Sequence, residues 1–347
     1  MIKIIYERCL TQMAIMTMLD GLFGAVAGVF SKIVAVVLSV MISSGSMAAA
    51  PAKDDLIKAA DEENVKLMVE VLGDSQVNAF STSYHYFDLA MQDYQNAATD
   101  LDGLIVVGDV TENCLVSEWN TIADILTETK FNDTLLLATG NHDIRLRTMD
   151  EVKERFYGVQ NAFTTVNPDG ELYYSYELNG YTFIVMGSDT IEMEEANISE
   201  AQLKWLDTKM SEATADGKPV FVVLHQVLKN THGLPNTWGN GSNKTAGSVG
   251  AQSDDIYNIL NKYENVILLT GHLHTGFGQY TYETLGDNDN ITSINFPGIG
   301  KNSQDGIEGY GQGATLEVYE DQIIVRARDV ANGKYYGEQY DLTINLK

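Results

Sequence analysis

The sequence predicts an α/β domain, and three observations predict it. Between residues 64 and 274, short apolar runs recur, each closed by a polar cluster. Stretches of helical periodicity separate those runs, and past residue 275 the helical signal gives way to alternating strands. Uninterrupted apolar runs mark strands buried on both faces, and such strands need helices to cover them. No Pro/Ser-rich linker, repeat or low-complexity tract divides the stretch, so residues 64–347 read as a single domain with 275–347 as its closing antiparallel strands.

Taken in order, the apolar runs are Val65 to Val71, Leu104 to Val107, Leu135 to Ala138, Val220 to Leu224 and Val266 to Leu269. Helices are expected at Tyr84 to Ala97, Ser117 to Thr129, Met149 to Phe156, Ser199 to Ala213 and Ser253 to Tyr263. The fourth is the best marked, because Ser199 and Gln202 form a capping-box pattern and Leu203, Leu206 and Met210 then share one face. Asn179-Gly180 between Leu172–Leu178 and Tyr181–Met186 signals a two-residue hairpin. Ala314 to Tyr319 and Gln322 to Ala327 alternate around a turn at Glu320-Asp321. Asp287 to Asn290 lacks the glycine and distal glutamate of a calcium loop and reads as a hairpin turn. Gly309 to Gly313 reads as a bend between strands.

The first fifty residues are a different material. Ile33 to Ile42 is apolar, follows Lys32, and leads to Ser46-Met47-Ala48-Ala49-Ala50-Pro51-Ala52. A cation, an apolar run of about ten residues and a small-residue site make an export signal, with cleavage between Ala48 and Ala52; a membrane span needs roughly twenty residues. The alternative is an uncleaved anchor lengthened by the apolar residues 21–31, and Met13, Met16 and Met18 are alternative starts. The chain carries 22 Lys+Arg against 48 Asp+Glu, a formal charge of −26. That balance argues against a partner gripped through phosphate neutralisation, such as a nucleic acid. With 44% apolar residues the chain is also no disordered segment. Cys9 leaves with the leader, and Cys114 alone supports neither a disulfide nor a cysteine-rich zinc site. Any metal must be held by Asp, His, Asn or Gln.

Those residue types stand where the apolar runs end: Asp74-Ser75-Gln76, Gly108-Asp109, Gly140-Asn141-His142-Asp143, His225, and Gly271-His272-Leu273-His274. Strand ends on one sheet edge converge, so five clusters separated in sequence are expected to form one site. Four of the six histidines lie in them. A lone histidine ending an apolar run is more often structural than a ligand, but five clusters together reverse that weighting. Asp109 is the natural bridge between two cations, which would hold a hydroxide as nucleophile at neutral pH. His272 and His274 point apart on an extended or turning backbone and suit different metals. His85 and His232 are expected to be solvated or packed loop residues. Trp238, in the long Lys229–Gly250 stretch, is either substrate-facing or the anchor of that loop.

The order D-x-Q, GD, GNHD, H and GHLH resembles the calcineurin-like metallophosphoesterases over residues 65 to 276. The resemblance implies a four-layer α/β/β/α sandwich of two mixed sheets and a binuclear centre that hydrolyses phosphate esters through metal-bound hydroxide. One metal would take Asp74, Gln76, Asp109 and His274; the other would take Asp109, Asn141, His225 and His272. The cofactors implied are two transition-metal ions, Mn, Fe or Zn. His142 would stand beside the scissile phosphate as proton donor or transition-state stabiliser. Two positions depart from the pattern. Gln76 replaces the usual histidine of D-x-H and offers a weaker amide oxygen. Glu112 stands where many members have an aspartate that orients the catalytic histidine, and it is expected to take that role. Arg145 and Arg147 follow the GNHD turn closely enough to fork onto a phosphate. The substrate expected is a small phosphodiester or phosphomonoester. The competing expectation is a non-catalytic metal- or ligand-binding surface protein on the same fold, exported or anchored by its leader.

Overall fold

In the computed structural model of the chain, residues 56–78, 82–169, 171–233, 248–300, 302 and 305–347 are described. The expected leader and Trp238 lie outside the described residues. Strands and helices follow in the order β1 (Leu67–Leu72), α1 (Ser83–Gln95), β2 (Gly103–Val106), α2 (Val116–Glu128), β3 (Thr134–Leu137), α3 (Asn141–Ile144), α4 (Met149–Phe163), β4 (Tyr174–Leu178) and β5 (Tyr181–Val185). Then come α5 (Glu200–Ala213), β6 (Val220–Val223), α6 (Ser253–Leu260), β7 (Val266–Thr270), β8 (Tyr282–Leu285), β9 (Ile291–Asn295), β10 (Gln312–Val318), β11 (Gln322–Asp329), β12 (Lys334–Tyr335) and β13 (Leu342–Asn345).

The strands form two mixed sheets. In the first, β1, β2 and β3 run parallel, and β10, β11, β12 and β13 extend the sheet antiparallel from β1, with β12 and β13 both paired to β11. The second has the order β4-β5-β6-β7-β9-β8, parallel from β5 to β9. Alternate residues of the second sheet enter two different cores. Phe183, Val185, Phe221, Val223, Ile267, Leu269 and Ile294 pack with residues of the first sheet. Ile184, Val222, Leu224, Leu268 and Ile291 pack with Leu206 and Met210 of α5 and Ile256 and Leu260 of α6. Helices α1, α2 and α4 cover the first sheet through Phe87, Tyr94, Trp119, Ile122, Val152 and Phe156. Two sheets face to face between two helical layers make the α/β/β/α sandwich.

Three local readings need correction. Helix α4 continues past Phe156 to Phe163, because Val159 and Gln160 keep the buried stripe and Gln160 ties the helix to β3 through the Leu137 amide (2.9 Å) and Leu135 carbonyl (2.8 Å). At α5 only half a capping box forms. Ser199 accepts from the Gln202 amide (3.2 Å), while the Gln202 side chain turns away to Gly187 and Asp189. The C-terminal third is not wholly antiparallel: β8 lies outside β9, so the returning β9 runs parallel to β7. Among the described residues no helix is long and apolar enough to cross a membrane.

Glu70, mid-strand in β1, is fully buried, and neither carboxylate oxygen has a hydrogen-bond partner. Burial, and then Asp93, push its carboxyl well above the ordinary glutamate range. Folding therefore favours its protonated form, so stability falls as pH rises above about 4.3, the unfolded value. Glu70→Met is expected to stabilise the fold by about 1–3 kcal/mol at pH 7, as for removal of an unsatisfied buried group. Chemical denaturation at pH 7 and at pH 4 should show the gain shrinking at the lower pH.

Candidate metal centre

Because β1, β2 and β3 are parallel, their C-terminal ends share one edge of the first sheet, and β6 and β7 end together in the second. The chain leaves these ends in sharp turns. Asp74 (φ 39°), Gln76 (φ 39°), Asp109 (φ 48°), His272 (φ 74°) and His274 (φ 50°) all occupy the left-handed region. Non-glycine residues there are uncommon and cost about 1–3 kcal/mol in unfavourable cases, so their concentration at one place marks a site held against local preference. Backbone bonds lock the turns together: Gln76 N donates to Asp109 O (2.7 Å), and Gly271 N to His225 O (2.8 Å). The backbones approach so closely that a Cβ at Gly140 would lie 2.1 Å from Asp109 Oδ1, and one at Gly271 would lie 2.7 Å from Asp74 Oδ2.

Two ligand triads result, and they share a residue. Asp109, His225 and His272 bring one potential ligand atom each within 4.8 Å of one another, and so do Asp74, Asp109 and His274. His225 Nε2 lies 3.3 Å from Asp109 Oδ2 and 3.9 Å from Asp74 Oδ1, and His274 Nε2 lies 3.3 Å from Asp74 Oδ1. Burial opposes ionisation of both aspartates, but neighbouring histidines, His274 at Asp74 and His225 at Asp109, hold both carboxyls below their ordinary range. Burial opposes the charge on His225 as well; Asp109 and Asp74 outweigh it and push the imidazole up to about 9. His272, buried and beside His225, is lowered to about 3 and is neutral, as a ligand must be.

The donor set fits a cation. His225 donates Nδ1–H to the Val107 carbonyl (3.0 Å), so Nε2, which faces the carboxylates, is the atom that would meet a cation once the cation displaces its proton. Asn141 donates through Nδ2 to Met193 O (3.0 Å), while its Oδ1 is buried without a hydrogen-bond partner. A buried, orphaned acceptor is costly unless something fills its lone pairs. Gln76 Nε2 stands 3.5 Å from Asp109 Oδ2 and 3.4 Å from His274 Nε2, so the Gln76 amide also reaches the cluster. Turning that amide over would present its oxygen to a cation.

His142 sits on the short helix α3 at the rim, its side chain 16% exposed. Its amide donates to Asp109 Oδ1 (2.8 Å), its Nδ1 meets Glu112 O (2.9 Å) and Glu112 Oε1 (3.3 Å), and its Nε2 lies 3.2 Å from Gln76 Nε2. Arg145 Nη2 donates to Glu112 Oε1 (3.0 Å) and Glu112 O (3.2 Å), and Arg147 Nη1 to Leu146 O (2.9 Å). Arg145 is thus paired with Glu112, while Arg147 meets the neutral Leu146 carbonyl and keeps its charge, and the Nε of each is buried without a hydrogen-bond partner. Asp143 does not face the cluster; it accepts from the amides of Val110, Thr111 and Gly140 and pins the GNHD turn to the GD loop. His232 is buried between Tyr280 O and Ser293 Oγ, and His85 is exposed on α1. Sequence reasoning missed the loop after β5, where Met193 and Glu194 meet Asn141 (Nδ2 to Glu194 Oε2, 3.5 Å). The sequence carried no signal for it, because only the parallel pairing of β5 with β6 brings the end of β5 to the same edge.

A two-sheet sandwich that gathers Asp, Asn and His at its strand ends is the architecture of a metallophosphoesterase. The chain belongs to the calcineurin-like phosphoesterase family, whose model matches residues 69–276. It is 29% identical over 126 residues to a probable cyclic nucleotide phosphodiesterase of Fibrobacter succinogenes, a match covering 36% of this chain and 42% of that protein. A second relative, named a probable cyclic nucleotide phosphodiesterase of Ruthia magnifica, is 24% identical over 177 residues, 50% of this chain and 63% of that one. The matches therefore span less than two thirds of either relative. The fold is similar to that of a dimetal phosphatase from Danio rerio (TM-score 0.56, 11% identity, 82% of this chain and 100% of that one). It is also similar to purple acid phosphatase PPD1 from yellow lupin (TM-score 0.56, 14% identity, 80% and 53%).

Proposed function

We propose that the chain is a metal-dependent phosphoric ester hydrolase with a binuclear centre. The observation that carries this reading is the pair of ligand triads sharing Asp109. Asp74, Gln76, Asp109 and His274 would hold one cation, and Asp109, Asn141, His225 and His272 the other. When bound, such cations act as Lewis acids on a phosphoryl oxygen and acidify water. The chain's own residues supply the rest. Asp109 and Asp74 provide the buried negative charge that balances the cations. His142 keeps Nδ1–H on the Glu112 carbonyl, which turns Nε2 towards Gln76 and the cluster, where it would serve as proton donor to a leaving oxygen. Glu112 and Arg145 brace that imidazole as a hydrogen-bonded unit rather than touching the ester.

The substrate class follows from charge. Arg145 is paired with Glu112, which leaves less cationic side-chain charge for a dianion and favours a monoanionic diester. The names of the two relatives, both probable cyclic nucleotide phosphodiesterases, support the same preference. The test is the rate on an aryl monophosphate and on a bis-aryl phosphate, each with Mn, Zn or Fe added, alongside metal analysis of the protein. Hydrolysis that depends on metal, faster on the diester, is expected. A purified protein that binds no transition metal and cleaves neither ester would leave the non-catalytic reading in its place.

A further inference from the structure

The loop after β5 carries an acidic residue into the site. Because β5 is parallel to β6 (Val185↔Val223), residues 186–196 emerge at the edge that also delivers His225. The loop is pinned on both sides: Asp189 N donates to Asn197 O (2.8 Å), Gln226 Nε2 to Glu194 O (3.2 Å), and Gly250 N to Ala196 O (3.1 Å). Held there, Glu194 Oε2 lies 3.5 Å from Nδ2 of Asn141, the residue that precedes His142 on α3. That sets a carboxylate beside an expected metal ligand and one residue from the expected proton donor. The amide of Asn141 does not need Glu194 to orient it, since Met193 O already accepts from the same nitrogen at 3.0 Å.

A half-buried carboxylate beside an anion site repels each further negative charge brought there. A phosphate monoester carries about −1.5 to −2 near neutral pH, against −1 for a diester. We propose that Glu194 is a specificity-determining residue that excludes dianionic phosphomonoesters and so selects monoanionic diesters. This rests on the functional reading above and names the substrate class of the same site.

The test is run at pH 8, where a phosphate monoester is mostly dianionic. The metal-loaded full chain and its Glu194→Gln variant are compared on 4-nitrophenyl phosphate and bis(4-nitrophenyl) phosphate. The variant's monoester-to-diester ratio of kcat/KM is expected to rise about tenfold, the effect of ~1.4 kcal/mol. Calorimetric binding of inorganic phosphate, mostly dianionic at this pH, is expected to tighten by a similar factor. Glu194→Asp, which keeps the charge, should leave the ratio near the wild-type value. An unchanged ratio, an equal fall on both esters, or loss of metal from Glu194→Gln would overturn the proposal, the last two by making the residue a support of Asn141 or a ligand. If neither protein cleaves an ester but phosphate still binds more tightly to Glu194→Gln, the hydrolase reading fails while the charge exclusion stands.

Discussion

Asp109→Asn is expected to lower kcat/KM on any ester the protein cleaves by at least ~10³-fold, or ~4 kcal/mol of transition-state stabilisation, and to reduce its metal content. Asp109 is the one residue common to both ligand triads. An amide offers a neutral oxygen in place of a carboxylate shared between two cations, so both positions weaken together. The fold itself should survive. The oxygen of the substituted amide can still accept the His142 N–H bond that Asp109 Oδ1 accepts at 2.8 Å, and loss of the charge relieves its repulsion with buried Asp74. A variant that still unfolds cooperatively in the metal-free state, with depleted metal and collapsed turnover, is the expected combination. Retention of both metals and of the rate would remove Asp109 from the centre.

The five motif turns were legible because the residues they contribute follow directly on apolar runs, and parallel strands carry such ends to one edge whatever the details of packing. Left-handed backbone at Asp74, Gln76, Asp109, His272 and His274 was not legible, because only the neighbouring glycines hint that the chain must turn so sharply. Glu194 escaped for a different reason. Asn179-Gly180 correctly marks β4 and β5 as a hairpin, but periodicity does not reveal that β5 has a second, parallel neighbour, and a run of acids in so acidic a chain looks like solvated surface. The same blindness to partner direction hid the parallel pairing of β9 with β7. Asp143 was misplaced by adjacency: it follows His142 in sequence, yet one helical step along α3 turns its carboxylate onto three backbone amides. The charge of −26 is likewise no guide to the site, since Asp74 and Asp109 are two buried acids among 48.

His142→Asn separates positioning from proton transfer. General acid catalysis contributes typically 10²–10⁴-fold, and the loss should fall in that range for an ester with a poor leaving group. For a nitrophenolate, which departs without needing a proton, the loss should be much smaller. Burial opposes the charge on His142, but Glu112 and Asp109 outweigh it and raise its pKa, so the imidazolium persists to higher pH than for a free histidine. Wild-type rates on a poor leaving group should therefore fall on the alkaline side as that proton is lost, and the variant should lack this limb. The amide of residue 142 still bonds Asp109 through the backbone, so metal content is expected to stay at the wild-type level. Equal losses for good and poor leaving groups would assign His142 to charge stabilisation instead, with Nε2 acting on the phosphoryl oxygens rather than on the departing one.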